Sequence, residues 1–266
     1  VLVMLDIKNF NKKILITGGN GLLGKEYLKF FLDTKSTVYI LDKNIDYEIK
    51  ELNKKNKNLY FYKCDITKEK ELLKVFFKIK KRGQIDVLIN NAAIDATPKS
   101  KQKYIEPFEK FKTDVWDEVM NVNLKGVFLC CKIFGSHMAK NKGGSIINVS
   151  STYGILSPDQ RIYKGINKKK FVKPITYSVS KSGIINMTRY LATYWASKKV
   201  RVNNLILGGV KNNQPKKFIK NYCNKVPLGR MATKNEYNYS IFYLASEMSS
   251  YMTGSNLIVD GGWSAW

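Results

Sequence analysis

Tyr177 and Lys181 stand four residues apart, so on a helix they share one face and can meet over the same ligand. A phenol with an ordinary pKa of about 10 is a poor base near neutrality, and a neighbouring ammonium favours its phenolate form. The pair therefore predicts a group that exchanges a proton with a substrate oxygen. Ser151 follows an apolar, strand-like run, where its hydroxyl can hydrogen-bond the same oxygen. Ser150 is the competing hydroxyl, and either serine can instead serve only as a turn cap. On its own, a Tyr–Lys spacing of this kind is more often an exposed helix face than a reactive pair.

A second constellation lies near the start of the chain. Thr17-Gly18-Gly19-Asn20-Gly21-Leu22-Leu23-Gly24 follows an apolar run and opens a helical pattern, with Gly19, Gly21 and Gly24 in GxGxxG spacing. Glycines there let the backbone turn tightly and approach a pyrophosphate, whose charge meets free N–H groups at a helix N-terminus. A second predicted strand ends in Asp42, whose carboxylate can accept hydrogen bonds from ribose hydroxyls and repels a 2′-phosphate. The combination predicts dinucleotide binding with NAD preferred over NADP.

The elements that must hold these residues alternate short β-rich runs with amphipathic stretches, the pattern of βαβ units. Strands are predicted at 13–17, 37–41, 59–63, 87–90, 145–150, 201–207 and 257–259, and helices at 22–34, 69–80, 114–140, 177–197 and 234–246. The expected fold is α/β, a Rossmann-like doubly wound parallel sheet of about seven strands flanked by helices. With no repeat or linker to divide it, residues 1–266 are expected to form a single dinucleotide-binding and catalytic domain. Two irregular segments, 153–176 and 208–230, follow strand ends and are expected to be active-site loops. Tyr153 and Tyr163 are placed to border the substrate there.

Composition narrows the remaining classes. The 266 residues carry a net charge of +25, but the lysines are spread along the chain, with Lys168-Lys169-Lys170 the densest cluster. A solvated basic surface explains this better than a nucleic-acid partner, and no nucleic acid is expected. The apolar runs are too short to span a bilayer and the N-terminal stretch lacks the pattern of a signal peptide, so no membrane and a cytoplasmic location are expected. Cys64, Cys130, Cys131 and Cys223 form no CxxC pair and no zinc-like spacing with His137, so no metal is expected. His137 is read as a surface or packing residue.

From Lys13 to Val259-Asp260-Gly261-Gly262 the chain resembles the short-chain dehydrogenase/reductase family. Its motifs follow in order: the glycine loop, Cys64-Asp65-Ile66-Thr67, Asn90-Asn91-Ala92-Ala93, Asn121-Val122-Asn123-Leu124, Ile147-Asn148-Val149-Ser150-Ser151, Tyr177-Ser178-Val179-Ser180-Lys181 and Arg201-Val202-Asn203-Asn204-Leu205. The resemblance implies Ser151, Tyr177, Lys181 and Asn123 as catalytic residues, with Asn123 holding a water linked to Lys181. It implies Thr17, Gly18, Gly19, Gly21, Leu23, Gly24, Asp42, Asp65, Ile66, Asn91, Ala92, Tyr177, Lys181, Gly208 and Val210 at the cofactor, Lys181 on the nicotinamide ribose. General acid/base catalysis would then accompany hydride transfer between NAD and a secondary alcohol or ketone. A homodimer or homotetramer is also implied.

Departures narrow the likeness. Ser151 and Tyr177 are 26 residues apart (177 − 151), about a dozen more than the family form, and Leu207 replaces a proline expected before Gly208-Gly209. No threonine follows Val210. The stretch from Tyr153 to Tyr177 is similar to members linked to bacterial flagellin modification and nonulosonic-acid sugars. Asp159, Gln160, Arg161, Lys164 and the three lysines give the loop a surface suited to a polar, anionic or polyhydroxylated small molecule, hence a sugar-derived substrate. The alternatives are a 3-oxoacyl thioester (acyl-carrier-protein) reductase and a non-catalytic dinucleotide-binding module.

Overall fold

Strands that are apolar on both faces must be covered on both faces, which is the condition of a parallel sheet between helix layers. Ile14, Leu15 and Ile16 of the first strand and Val38, Ile40 and Leu41 of the second are wholly buried. The computed structural model describes residues 7–97, 100–166 and 171–266. The first six residues and the Lys168-Lys169-Lys170 cluster therefore lie outside the described residues.

Seven strands, β1 (Lys13–Thr17), β2 (Thr37–Asp42), β3 (Leu59–Lys63), β4 (Val87–Asn90), β5 (Gly144–Ser151), β6 (Val200–Leu207) and β7 (Asn256–Val259), form one sheet in the order β3-β2-β1-β4-β5-β6-β7. Every pairing is parallel. The order reverses between β1 and β4, which opens a crevice at the C-terminal strand ends.

One face is covered by α1 (Leu22–Asp33), α2 (Tyr47–Lys55) and, from the chain's end, a helix over Asn238–Ala245. The other carries α3 (Glu69–Lys80), a long helical run and the helix that bears Tyr177. The long run comprises α4 (Thr113–Met120), a π-turn at Asn121–Lys125, α5 (Gly126–Cys130), a second π-turn at Cys131–Gly135 and α6 (Ser136–Ala139). After β5 come α7 (Thr152–Ile155) and α8 (Ile175–Tyr194), and after β6 come α9 (Lys216–Cys223) and α10 (Asn238–Ala245).

The structure corrects several boundaries. Helix α2 lies in a stretch for which the sequence predicts no element, where Asp46 caps it by accepting the Ile49 N–H at 3.0 Å. Helix α8 starts two residues before Tyr177, behind Pro174 at its N-cap. Both segments expected as irregular loops contain helix: α7 and a 3-10 turn at Gln160–Tyr163 in the first, α9 in the second. They are ordered by a core of their own, in which Tyr153, Tyr163, Phe171, Phe218, Tyr222 and Trp263 pack together. No helix among the described residues is long and apolar enough to cross a membrane.

Candidate active site

The glycine loop is shaped by what it must approach. Gly18 has φ +67°, and a Cβ there would sit 2.8 Å from the Ala92 Cα. At Gly24 a Cβ would lie 2.1 Å from the Gly18 carbonyl oxygen, so the first turn of α1 can press on the loop only with glycine. Gly21 is the N-cap of α1 and offers no side chain to its free N–H groups, which suits a phosphate. Gly19 packs against Ile40.

Thr17 and Asn91 brace this loop from the neighbouring strand end. The Thr17 hydroxyl accepts the N–H groups of Asn91 and Ala92, both at 3.1 Å. Asn91 Nδ2 in turn donates to the carbonyls of Thr17 and Gly18, each at 3.2 Å. Asp42 at the end of β2 accepts the Asn20 N–H at 3.0 Å and faces the crevice. Its neighbour Lys43 pairs with Asp65 at 3.0 Å, and the Thr67 hydroxyl also donates to Asp65 at 2.7 Å.

The crevice is a cleft of about 640 Å³. Of the residues named from sequence, Gly18, Gly21, Leu23, Asp42, Ile66, Asn91, Ala92, Ser151, Tyr177, Lys181, Gly208 and Val210 line it. Thr17, Gly19, Gly24, Asp65 and Asn123 stand behind that lining, and the contacts above tie Thr17, Gly24 and Asp65 to residues that do line it. Gly208 and Gly209 are fixed by two tyrosines: Tyr237 donates to the Gly208 carbonyl at 3.1 Å, and the Gly209 N–H donates to the Tyr222 hydroxyl at 2.6 Å.

At the other end Ser151 caps α7, accepting the Tyr153 N–H at 3.2 Å, and lies on the cleft beside Tyr177, whose pKa its hydroxyl lowers. Ser150 instead donates to the Lys181 carbonyl at 3.0 Å, a bond that docks α8 on β5. The choice between the two serines thus falls on Ser151 for contact with Tyr177. Asn123 is fully buried in the first π-turn of the long helical run. Its Oδ1 accepts the Ile94 N–H at 2.7 Å, while its Nδ2 donates to the Ile94 carbonyl at 3.0 Å and the Ser180 hydroxyl at 3.1 Å. It clamps the β4 exit loop to α8, and π-turns of this kind often mark functional sites.

The electrostatics differ from the sequence reading. Lys181 is buried, and its ammonium donates to the Val149 carbonyl at 2.7 Å while standing 5.8 Å from the Tyr177 ring centre. Burial lowers its pKa to about 8, with the Asp95 charge pulling the other way. Tyr177 is not made acidic by this lysine. Burial, and then the negative charge of Asp95, push its pKa well above the ordinary phenol value, while Ser151 draws it back. The reason is geometric: the Lys181 ammonium is aimed at a strand carbonyl, so desolvation of the phenol dominates.

Two residues that the sequence reading missed stand at this end, Asp95 on the β4 exit loop and Lys173 just before α8, paired with each other. The loop residues expected to face the substrate do something else. Asp159 is held by Arg161 at 2.8 Å and Lys225 at 3.1 Å, and Gln160 bonds the Lys173 backbone, so none of Asp159, Gln160, Arg161 and Lys164 lines the cleft. Tyr153 and Tyr163 do line it, their hydroxyls 3.1 Å apart. His137 packs edge-on against Phe76 with ring centres 5.2 Å apart, away from the cleft.

Behind the site a line of amides crosses the sheet. Asn90, Asn148, Asn204 and Asn256 occupy one register. Asn90 donates to Asn148 at 2.8 Å, Asn148 to the Thr188 hydroxyl at 2.8 Å, Thr188 to Asn204 at 2.7 Å, and Asn204 to Asn256 at 2.8 Å. This chain ties α8, which carries Tyr177, to four strands.

Comparison with known proteins bears on the whole of this arrangement. A family model described as Enoyl-(Acyl carrier protein) reductase matches residues 24–264. The 3-oxoacyl-[acyl-carrier-protein] reductase FabG of Thermotoga maritima is 34% identical over 262 residues, 94% of this chain and 97% of the relative. The NAD-dependent glycerol dehydrogenase of Listeria innocua is 29% identical over 265 residues, 96% of each chain. A solved short chain dehydrogenase from Leptospira borgpetersenii, crystallised with bound NAD+, superposes with a TM-score of 0.84 at 36% identity, covering 96% of this chain and 93% of that one.

Proposed function

The chain belongs to the short-chain dehydrogenase/reductase family of oxidoreductases, and we propose that it transfers a hydride between NAD(H) and a secondary alcohol or ketone of a polar, sugar-derived small molecule. The observation that carries this reading is the convergence of Ser151, Tyr177 and Lys181 on one cleft with the glycine loop and Asp42.

In this account the nicotinamide ring supplies the hydride acceptor or donor, and the chain's residues bind it and handle the proton. Gly18, Gly21, Leu23 and the N-terminus of α1 take the pyrophosphate; Asp42 takes the adenosine ribose, with Asp65 and Ile66 beside the adenine. Asn91, Ala92, Gly208 and Val210 border the nicotinamide half. Tyr177 exchanges a proton with the substrate oxygen, Ser151 orients that oxygen, and Lys181 holds the second ribose. Burial keeps the phenol protonated, the form that donates to a carbonyl being reduced. Asn123 keeps the β4 exit loop and α8 in register for all of them.

Family members bind NAD(P), and the preference for NAD rests on Asp42. Lys43, the cation that follows it on the cleft lining, is drawn aside by Asp65. Titration of the protein with NADH and NADPH tests this: NADH is expected to bind at least about tenfold tighter, and tighter NADPH binding refutes the assignment.

The Thermotoga relative makes a 3-oxoacyl thioester reductase the competing activity. A charged pair at the substrate end of the cleft disfavours an acyl chain there. A non-catalytic dinucleotide module has no use for the Ser151, Tyr177 and Lys181 set. The enlarged segment between Ser151 and Tyr177 supports kinship with flagellin-modifying and nonulosonic-acid members. A cytoplasmic homodimer or homotetramer completes the proposal; exposed Phe128 on α5, and Tyr190 and Tyr194 stacked at 5.7 Å on α8, support association of those helices.

A further inference from the structure

The extra residues between Ser151 and Tyr177 bring one charged side chain back into the cleft, Lys173. Gln160 holds its backbone from both sides: the Lys173 N–H donates to Gln160 Oε1 at 2.9 Å and Gln160 Nε2 donates to the Lys173 carbonyl at 3.0 Å. The side chain is only 6% exposed. Its ammonium lies 4.5 Å from the centre of the Tyr177 ring, nearer than that of Lys181, donates to the Ala96 carbonyl at 3.0 Å and pairs with Asp95.

Asp95, on the β4 exit loop, completes the arrangement. Its side chain is 45% exposed, and one of its oxygens meets Lys173. Its charge raises the proton affinity of Tyr177, Lys181, Tyr153 and Tyr163 alike, which places the carboxylate among them. An ammonium has three donors, and Lys173 spends two on Asp95 and Ala96. The third donor and the second carboxylate oxygen of Asp95 remain for a ligand.

The chemistry of that ligand follows from the charges. The pair is neutral as a whole, and the loop cations Arg161 and Lys225 are taken up by Asp159. An incoming carboxylate or phosphate would meet Asp95, and like charges at close range are unfavourable. A hydroxyl group donates to a carboxylate oxygen and accepts from an ammonium at once, so it satisfies both partners without adding charge.

We propose that Asp95 and Lys173 form a hydroxyl-binding subsite beside Tyr177 that selects neutral polyhydroxylated substrates by the hydroxyl neighbouring the reacting carbon. This rests on the reading of the cleft as the site of a sugar-type oxidoreductase, and it chooses neutral polyols over acidic or phosphorylated sugars. The subsite exists because of the enlarged loop, which supplies Lys173.

The test compares the unaltered protein with Asp95→Asn, Lys173→Met and Lys173→Arg. Each is assayed with NAD+ on xylitol and sorbitol, on gluconate and sorbitol 6-phosphate, and on cyclohexanol, which lacks a neighbouring hydroxyl. NADH fluorescence titration reports an intact cofactor site. The neutral polyols are expected to be the best substrates, and Asp95→Asn and Lys173→Met to raise their KM about tenfold or more with kcat changed far less. NADH affinity stays as in the unaltered protein, the KM for cyclohexanol shows no comparable rise, and Lys173→Arg keeps part of the polyol affinity. If Lys173→Met loses NADH binding, the half-exposed Asp95 position decides by itself. Polyol turnover with unchanged KM in Asp95→Asn, or preference for the anionic substrates, overturns the subsite and leaves the cleft reading standing. Turnover of apolar ketones or 3-oxoacyl thioesters with none of sugars or polyols overturns the cleft reading itself.

Discussion

Replacing Lys181 with methionine separates the cost of burying a charge from its use. Lys181 is 3% exposed, and burial lowers its pKa from 10.5 to about 8. Below the folded value, the folded protein must keep an ammonium in a site that resists it. Each pKa unit is worth about 1.4 kcal/mol, so the charged lysine costs the fold about 3 kcal/mol at neutral pH. The sign follows from the direction: the unfolded chain binds more protons between the two values, so stability rises with pH there. Between pH 7 and pH 9.5 the gain is about 2 kcal/mol, ahead of most tyrosine ionisation in the unfolded chain. Lys181→Met cannot titrate and should lack this gain. Urea denaturation at pH 7 and pH 9.5, at fixed protein concentration, measures the difference between the two proteins. Parallel stability changes in both would refute the argument that Lys181 is a desolvated ammonium.

Two further substitutions probe the scaffold. Gly24→Ala places a methyl 2.1 Å from the Gly18 carbonyl oxygen, so it should destabilise by about 1–3 kcal/mol and weaken NADH binding, read by thermal melting and fluorescence titration. Thr188→Val leaves Asn148 Nδ2 and Asn204 Oδ1 without their shared partner, and should cost about 2–4 kcal/mol in urea denaturation while NADH affinity is retained.

The sheet was legible because parallel strands buried on both faces read as short apolar runs, and all seven strands fall within a residue of their expected bounds. Helix α2 was not, since Ile49 is its one buried residue and gives no apolar stripe; Asp46 before it and Lys54 and Lys55 at its end were the signals available. Helix α9 hid behind Pro215 in a proline- and glycine-rich segment. At the site, the glycine loop and the Tyr177–Lys181 pair could be named from local spacing, and Ser151 over Ser150 from the family resemblance. Asp95 and Lys173 could not, because their contact joins residues 78 apart and Pro174 interrupts the helical count between Lys173 and Tyr177. The asparagine line across the sheet also depends on strand register, which the sequence does not display. The polar loop residues misled for a related reason: Asp159, Arg161 and Lys225 satisfy one another, so polarity there belongs to the loop and not to the ligand.

The central claim is that Tyr177 exchanges the proton while the rest of the cleft binds the dinucleotide. Tyr177→Phe removes one hydroxyl and keeps the ring that packs beside Tyr153 and Tyr163. Paired measurements on this variant, NADH affinity by fluorescence titration and NAD(H)-linked turnover of the best polyol or ketone substrate, test the claim most directly. The account predicts turnover lower by about 100-fold or more with NADH affinity nearly unchanged. Turnover close to that of the unaltered protein would contradict it.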